Sequence, residues 1–195
     1  MANTNLEGGI GPARRRAVRA LATALALLAA GCAAVPDNAV SERLDERTGT
    51  TLTSMRRPVE LVSTEPRGNN SDPFAYVAPF ETNRMGQRAL YLWVAVPDER
   101  GGAAAPVVLV NGAPLPARPL AADARGLGLG ALPYAAPAPW SSIGVFAIDE
   151  AALRSLAAAG TIETTVRYAD GRVIRFVGSP RPADILQQFL RTLGL

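Results

Sequence analysis

The sequence predicts a mainly β, or α+β, domain: an immunoglobulin-like antiparallel β-sandwich with a short helix near residues 149–159 and a C-terminal helix packed on the sheet. Three observations carry this expectation. From Thr51 onward, short runs of Val, Leu, Ile, Phe, Tyr and Trp recur between turn-forming Gly, Pro, Asn and Asp, giving about seven or more strands. Two pairs of runs are joined by short loops containing Asn-Gly or Asp-Gly, residues that tolerate positive φ. Only two segments downstream of Thr51 carry apolar residues at helical spacing.

The first stretch, TLTSMRRPVELVST, gives one or two strands, and Pro58 favours an edge position because it donates nothing to a ladder. FAYVAPF and ALYLWVAV follow, separated by the turn-like ETNRMGQR. In the second, Leu90, Leu92, Val94 and Val96 share one face, and Tyr91, Trp93 and Ala95 share the other. Both faces are apolar, so this strand is expected at the centre, covered on both sides. PVVLV runs into Asn111 and Gly112, a hairpin turn, and the return segment APLPARPL has too many prolines for a central strand. It is expected as an edge or a loop.

IGVFAI reads as a further strand, after which Asp149 can cap a helix holding Leu153 and Leu156 and ending at Gly160. TIETTVRY and RVIRFVG flank Ala-Asp-Gly. A three-residue loop, Ala169 to Gly171, pairs Val166 with Ile174 and Thr164 with Phe176, collecting Ile162, Val166, Ile174 and Phe176 on one face. A two-residue loop would scatter them, so the three-residue loop with a left-handed Gly171 is expected. The last helix lies in SPRPADILQQFLRTL, with Ser179 or a neighbour as cap. Ile185, Leu186, Phe189, Leu190 and Leu193 share its core face.

Ahead of the domain stands RRRAVRALATALALLAAGC, Arg14 to Cys32. A basic cluster, an apolar run and small residues form the order of a secretory signal. A membrane-spanning helix needs about 20 apolar residues, and Arg19 and Asp37 leave too few. LAAGC, Leu28 to Cys32, resembles the lipobox of bacterial lipoproteins, with the small departure that Ala29 stands where Leu is commoner. The resemblance covers only the first 32 residues. It implies cleavage between Gly31 and Cys32, a diacylglyceryl thioether on Cys32 and usually an N-acyl chain such as palmitate. Ala33, not being Asp, implies sorting to the periplasmic face of the outer membrane. The expected organisation is a cleaved signal at 1–31, a flexible tether at 32–50 and one periplasmic domain at 51–195. In the tether, SERLDER could instead form a turn or two of helix.

Cleavage also changes the charge. The chain has 20 Arg, no Lys and 17 acidic residues, and four of the Arg with one acid lie in the signal. The mature chain therefore carries sixteen of each and is neutral, which removes the case for a nucleic-acid partner.

The residue inventory excludes more. There is no His and no Lys, and the single Cys is the anchor. Ser-His-Asp, Cys-His and Ser-Lys systems, Schiff-base lysines, the P-loop lysine and His/Cys metal sites are all absent. No cofactor or metal is expected beyond the lipid on Cys32. A carboxylate pair is the chemistry left to an enzyme, and Asp45/Glu46, Asp98/Glu99 and Asp149/Glu150 are the candidates. GLGLG, Gly126 to Gly130, lacks the following helix that a phosphate loop requires, because Pro133, Pro137 and Pro139 follow it.

One segment stands out as a working surface: LAADARGLGLGALPYAAPAPWSS, Leu120 to Ser142, a long Gly, Pro and Ala-rich stretch carrying Tyr134 and Trp140. The two aromatics are candidate contact residues for a partner or sugar. Alternatively, Leu127, Leu129 and Leu132 form an irregular strand and Trp140 is core. The expected role is a non-catalytic, lipid-anchored envelope protein that binds an envelope partner. A glycan- or lipid-binding module is the alternative, and a carboxylate glycosidase is the third reading.

Overall fold

Two apolar faces on one strand demand neighbours on both sides, and the computed structural model supplies them. It describes residues 39–65, 74–98, 102–121, 123–178 and 182–195. The signal, Gly31 and Cys32 lie outside these residues, as do Ser179 and Glu99. Eleven strands are found among them: β1 Val40–Asp45, β2 Thr50–Met55, β3 Val59–Ser63, β4 Phe74–Arg84, β5 Gln87–Pro97, β6 Val107–Val110, β7 Ala113–Pro114, β8 Arg118–Leu120, β9 Ser141–Ile148, β10 Ile162–Arg167 and β11 Val173–Gly178. Two helices accompany them, α1 Glu150–Ala157 and α2 Pro182–Thr192. The expected antiparallel β architecture with two helices is the one observed, and all the strands belong to one curled sheet: nine run in the order β7-β6-β10-β11-β3-β4-β5-β9-β8, and β2, carrying β1, branches from β4.

β4 makes the continuity possible. Its first half pairs with β3 and its second half with β2, on the same edge, while β5 runs along the other. Pro79 lies in the middle of this central strand, where proline should not be. The β4–β5 hairpin closes at Arg84–Gln87, with Met85 and Gly86 both at positive φ. Counting five residues back from that hydrogen-bonded pair puts Pro79 opposite Leu92 at a non-hydrogen-bonded site. Its nitrogen therefore faces the break between β2 and β3 at Arg56 to Pro58, where no strand needs a donor.

The inner face of the sheet carries Met55, Leu61, Val77, Leu92, Val94, Phe146, Ile162, Val166 and Phe176, packed with Leu153 and Leu156 of α1 and Leu186, Phe189 and Leu193 of α2. Asp149 caps α1 by accepting from the Ala152 amide at 2.7 Å. The β10–β11 hairpin has the expected register, Val166 with Ile174 and Thr164 with Phe176, and Gly171 sits at φ +86°. At the β6–β7 turn Asn111 and Gly112 are both left-handed, and the Asn111 side chain accepts from the amides of Gly160 and Thr161, tying the end of α1 to the hairpin. Arg88 joins sheet to helix: it donates to buried Glu81 at 2.6 Å and to the Leu193 carbonyl at 2.9 Å.

Two expectations need correction. The tether does not extend to residue 50, and SERLDER is not helical: residues 40–45 are strand β1, paired with β2 from Val40↔Met55 to Asp45↔Thr50, within a compact unit that runs from Ala39 to Leu195. An edge strand bearing Glu42 and Arg43 is polar enough to read as linker, and such charges protect an open edge. The second is Ile185, expected on the core face of α2 but 39% exposed, because only Leu186, Phe189 and Leu193 turn fully inward.

Tyr168 makes the fold sensitive to alkali. Its hydroxyl donates to the Pro97 carbonyl at 2.6 Å, and burial, with help from the Asp98 charge, pushes its pKa up to about 12. The native state thus favours the neutral phenol. This contribution is complete below pH of about 10, where an unfolded tyrosine begins to ionise, and is lost as pH rises through about 12. Wild type is expected to lose more stability than Tyr168→Phe between pH 8 and pH 11.5, by about 1–2 kcal/mol once partial solvent screening is allowed for, read from urea midpoints; Tyr134, whose phenol burial also raises, adds a loss common to both proteins. Equal losses in the two proteins would contradict the assignment. With no Lys or His in the chain, few other side chains titrate there.

Candidate functional site

The outer face of the sheet is where covered and uncovered surface meet. On β5 it presents Tyr91, Trp93 and Ala95, flanked by Ala78 and Phe80 of β4 and Val145 of β9. The segment from Leu120 to Trp140 crosses one part of this face. Leu127 and Leu129 are buried against Trp93, Leu52 and Phe80, although the backbone there is a single 3-10 turn, Arg125–Leu127, and not a strand.

The cover is fastened chiefly to the β1–β2 hairpin. The Gly130 amide donates to the Asp45 carboxylate, which lies below its ordinary pKa chiefly because of that bond. The Thr50 hydroxyl donates to the Gly128 carbonyl at 3.0 Å, and the Tyr134 hydroxyl to the Met55 carbonyl at 2.8 Å. Tyr134 also sets its ring 5.1 Å from that of Trp93, and burial holds its phenol well above the usual pKa.

The two sequence-predicted aromatics therefore divide. Tyr134 turns inward and helps fasten the cover. Trp140 remains 48% exposed at the end of the loop, where its carbonyl accepts from the Asp98 amide, so it is not core.

Beyond the cover the same face is open. Cross-strand register places Val107 on β6, Val173 on β11, Val62 on β3 and Ile143 on β9 on this side, and all four are exposed. Phe74 and Tyr76 of β4 lie among them, their rings 6.5 Å apart. Among the described residues the other large exposed apolar side chains are Trp140, at the end of the loop, and Leu44, Met85 and Ile185, which lie elsewhere. Strand alternation alone does not reveal this surface, because its residues come from five separate strands.

A groove of about 530 Å³ opens at the other end of the covered face, lined by Tyr91, Arg118, Leu120, Leu127, Ala147 and Asp149 among others. Of these, sequence analysis singled out Asp149 as a candidate catalytic carboxylate and placed Leu120 and Leu127 in the Leu120–Ser142 working-surface segment. Among the described residues of the lining, Asp149 is the only carboxylate.

The acidic clusters have structural duties. Asp45 holds the Arg47 and Gly130 amides, Asp98 accepts from the Ala103 amide, Asp149 caps α1 and Glu150 pairs with Arg154 at 2.6 Å. Among the described residues no three metal-ligating side chains converge, and no helix is long and apolar enough to cross a membrane. No family model matches the chain, and no curated protein or solved structure matches it.

Proposed function

We propose that the chain is a lipid-anchored, non-catalytic protein of the cell envelope, held by acyl chains on Cys32 at the periplasmic face of the outer membrane, and that it docks a protein partner there. The signal with its lipobox supports the address. The docking reading rests on one observation: Val62, Val107, Ile143 and Val173 are exposed together on one sheet face. Large apolar side chains left exposed on one open sheet face mark a candidate docking surface. The Glu163–Arg175 ion pair lies on the same face between Val62, Val107 and Val173, so the surface offers a partner both apolar and charged contacts.

A photo-crosslinking residue placed at Val62 or Ile143 in the full chain, in cells, is expected to yield a discrete adduct. The same residue at Met85, exposed at a hairpin tip, is expected to yield none. Val62→Arg with Ile143→Arg should abolish the adduct seen from Val107. Failure of both face positions to crosslink, or equal adducts from Met85, would refute docking through this face. The groove favours the second reading, a small-ligand module. The glycosidase reading gains no support from it, because a carboxylate pair is needed and the groove offers one.

A further inference from the structure

The groove is assembled by strand register. Arg118, Ala147 and Tyr91 form one row across β8, β9 and β5, and the row continues to Phe80 on β4. Adjacent strands lie about 5 Å apart, so Arg118 and Tyr91 stand about 10 Å from one another at the backbone. Only the methyl of Ala147 lies between them, which leaves a slot. Ala89, two residues before Tyr91 on the same face, extends its small-residue floor toward Asp149.

The walls differ in chemistry. Tyr91 stacks on Phe80 at 5.1 Å, 28° from parallel, and this contact fixes the orientation of its ring. Leu120 and Leu127 close the slot from the loop side. Arg118 has no hydrogen-bond or ion-pair partner among the described residues. Asp149 accepts its cap hydrogen bond through Oδ1, and no described donor occupies Oδ2.

We infer that this slot binds a neutral saccharide of one or two rings. The volume lies within the range of small-ligand sites. A fixed aromatic ring offers a stacking surface for the C–H face of a sugar, the Arg118 guanidinium donates to hydroxyl oxygens, and the Asp149 carboxylate accepts from hydroxyl hydrogens. A ligand with only acceptors leaves Asp149 unanswered, and an anion meets its charge. A cation meets Arg118 and Arg88 instead. Hydroxyl groups, which both donate and accept, satisfy the two sides at once. The site is separate from the docking face, so neither reading depends on the other.

The test is saturation-transfer NMR on the full lipidated chain in a sugar-free detergent, with cellobiose, maltose, lactose and chitobiose as neutral probes and glucuronate as the anionic one. Transfer to the ring protons of at least one neutral disaccharide is expected. Arg118→Ala, at an exposed edge position, should raise the Kd at least tenfold, and Ala147→Leu, which fills the slot, should abolish transfer. The inference is overturned if no neutral probe binds, if only glucuronate does, or if Arg118→Ala leaves the Kd unchanged. The last criterion stands even if Ala147→Leu fails to fold.

Discussion

Trp93→Ala is expected to destabilise the domain by about 3–5 kcal/mol, a large part of the 5–15 kcal/mol typical of a domain. Trp93 is wholly buried at the centre of the outer-face cluster, between the sheet and the cover of Leu127, Leu129 and Tyr134. Truncation therefore removes the largest apolar contact of that cluster and leaves a cavity that a rigid sheet floor cannot collapse to fill. The indole Nε1 has no hydrogen-bond partner, so no bond is lost with it. This separates size from polarity: Trp93→Phe, which keeps a ring and removes an unsatisfied donor, should cost about 1–2 kcal/mol. Trp140→Ala, at a half-exposed position, should cost under about 1 kcal/mol. Urea unfolding followed by far-UV circular dichroism measures all three. A Trp93→Ala cost within about 1 kcal/mol of wild type would mean that the loop does not cover the face in solution.

The hairpins were legible because their determinants are local. Asn111-Gly112 and Asp170-Gly171 specify turns by their own φ preferences, and the inward faces of β10 and β11 then leave one register. The central position of β5 was legible because alternate residues are apolar on both sides. The cover was not, since Leu127 and Leu129 reach the core from irregular backbone, where no period exists to be read. The fate of Tyr134 and Trp140 depends on the path of that loop. A tyrosine beside prolines looks the same in sequence whether its hydroxyl meets water or the Met55 carbonyl. The groove was still less visible: its floor is alanine, and its walls meet only when β8, β9 and β5 align.

Cys32→Ser is expected to remove the anchor completely. The thiol is the only one in the chain, so no other side chain can take a diacylglyceryl group through sulfur. Each buried methylene contributes about 0.8 kcal/mol, and two or more chains make attachment effectively stable. In a Gram-negative host fed a clickable fatty acid, the wild-type intact mass should lack residues 1–31 and include acyl groups on Cys32. The serine variant should carry no label. Its mass decides more than fractionation does, because a variant that keeps the apolar signal would still sediment with membranes. A wild-type chain without acyl mass, or one retaining residues 1–31, would refute the lipoprotein reading. With acylation at Cys32, seven residue steps would separate the anchor from Ala39, the first described residue, a reach of at most about 25 Å. Inserting about twenty Gly and Ser residues after Ala34 leaves acylation intact but loosens this constraint. Crosslinks from Val62 to a membrane-embedded partner should then weaken, while sugar binding at Arg118 stays unchanged.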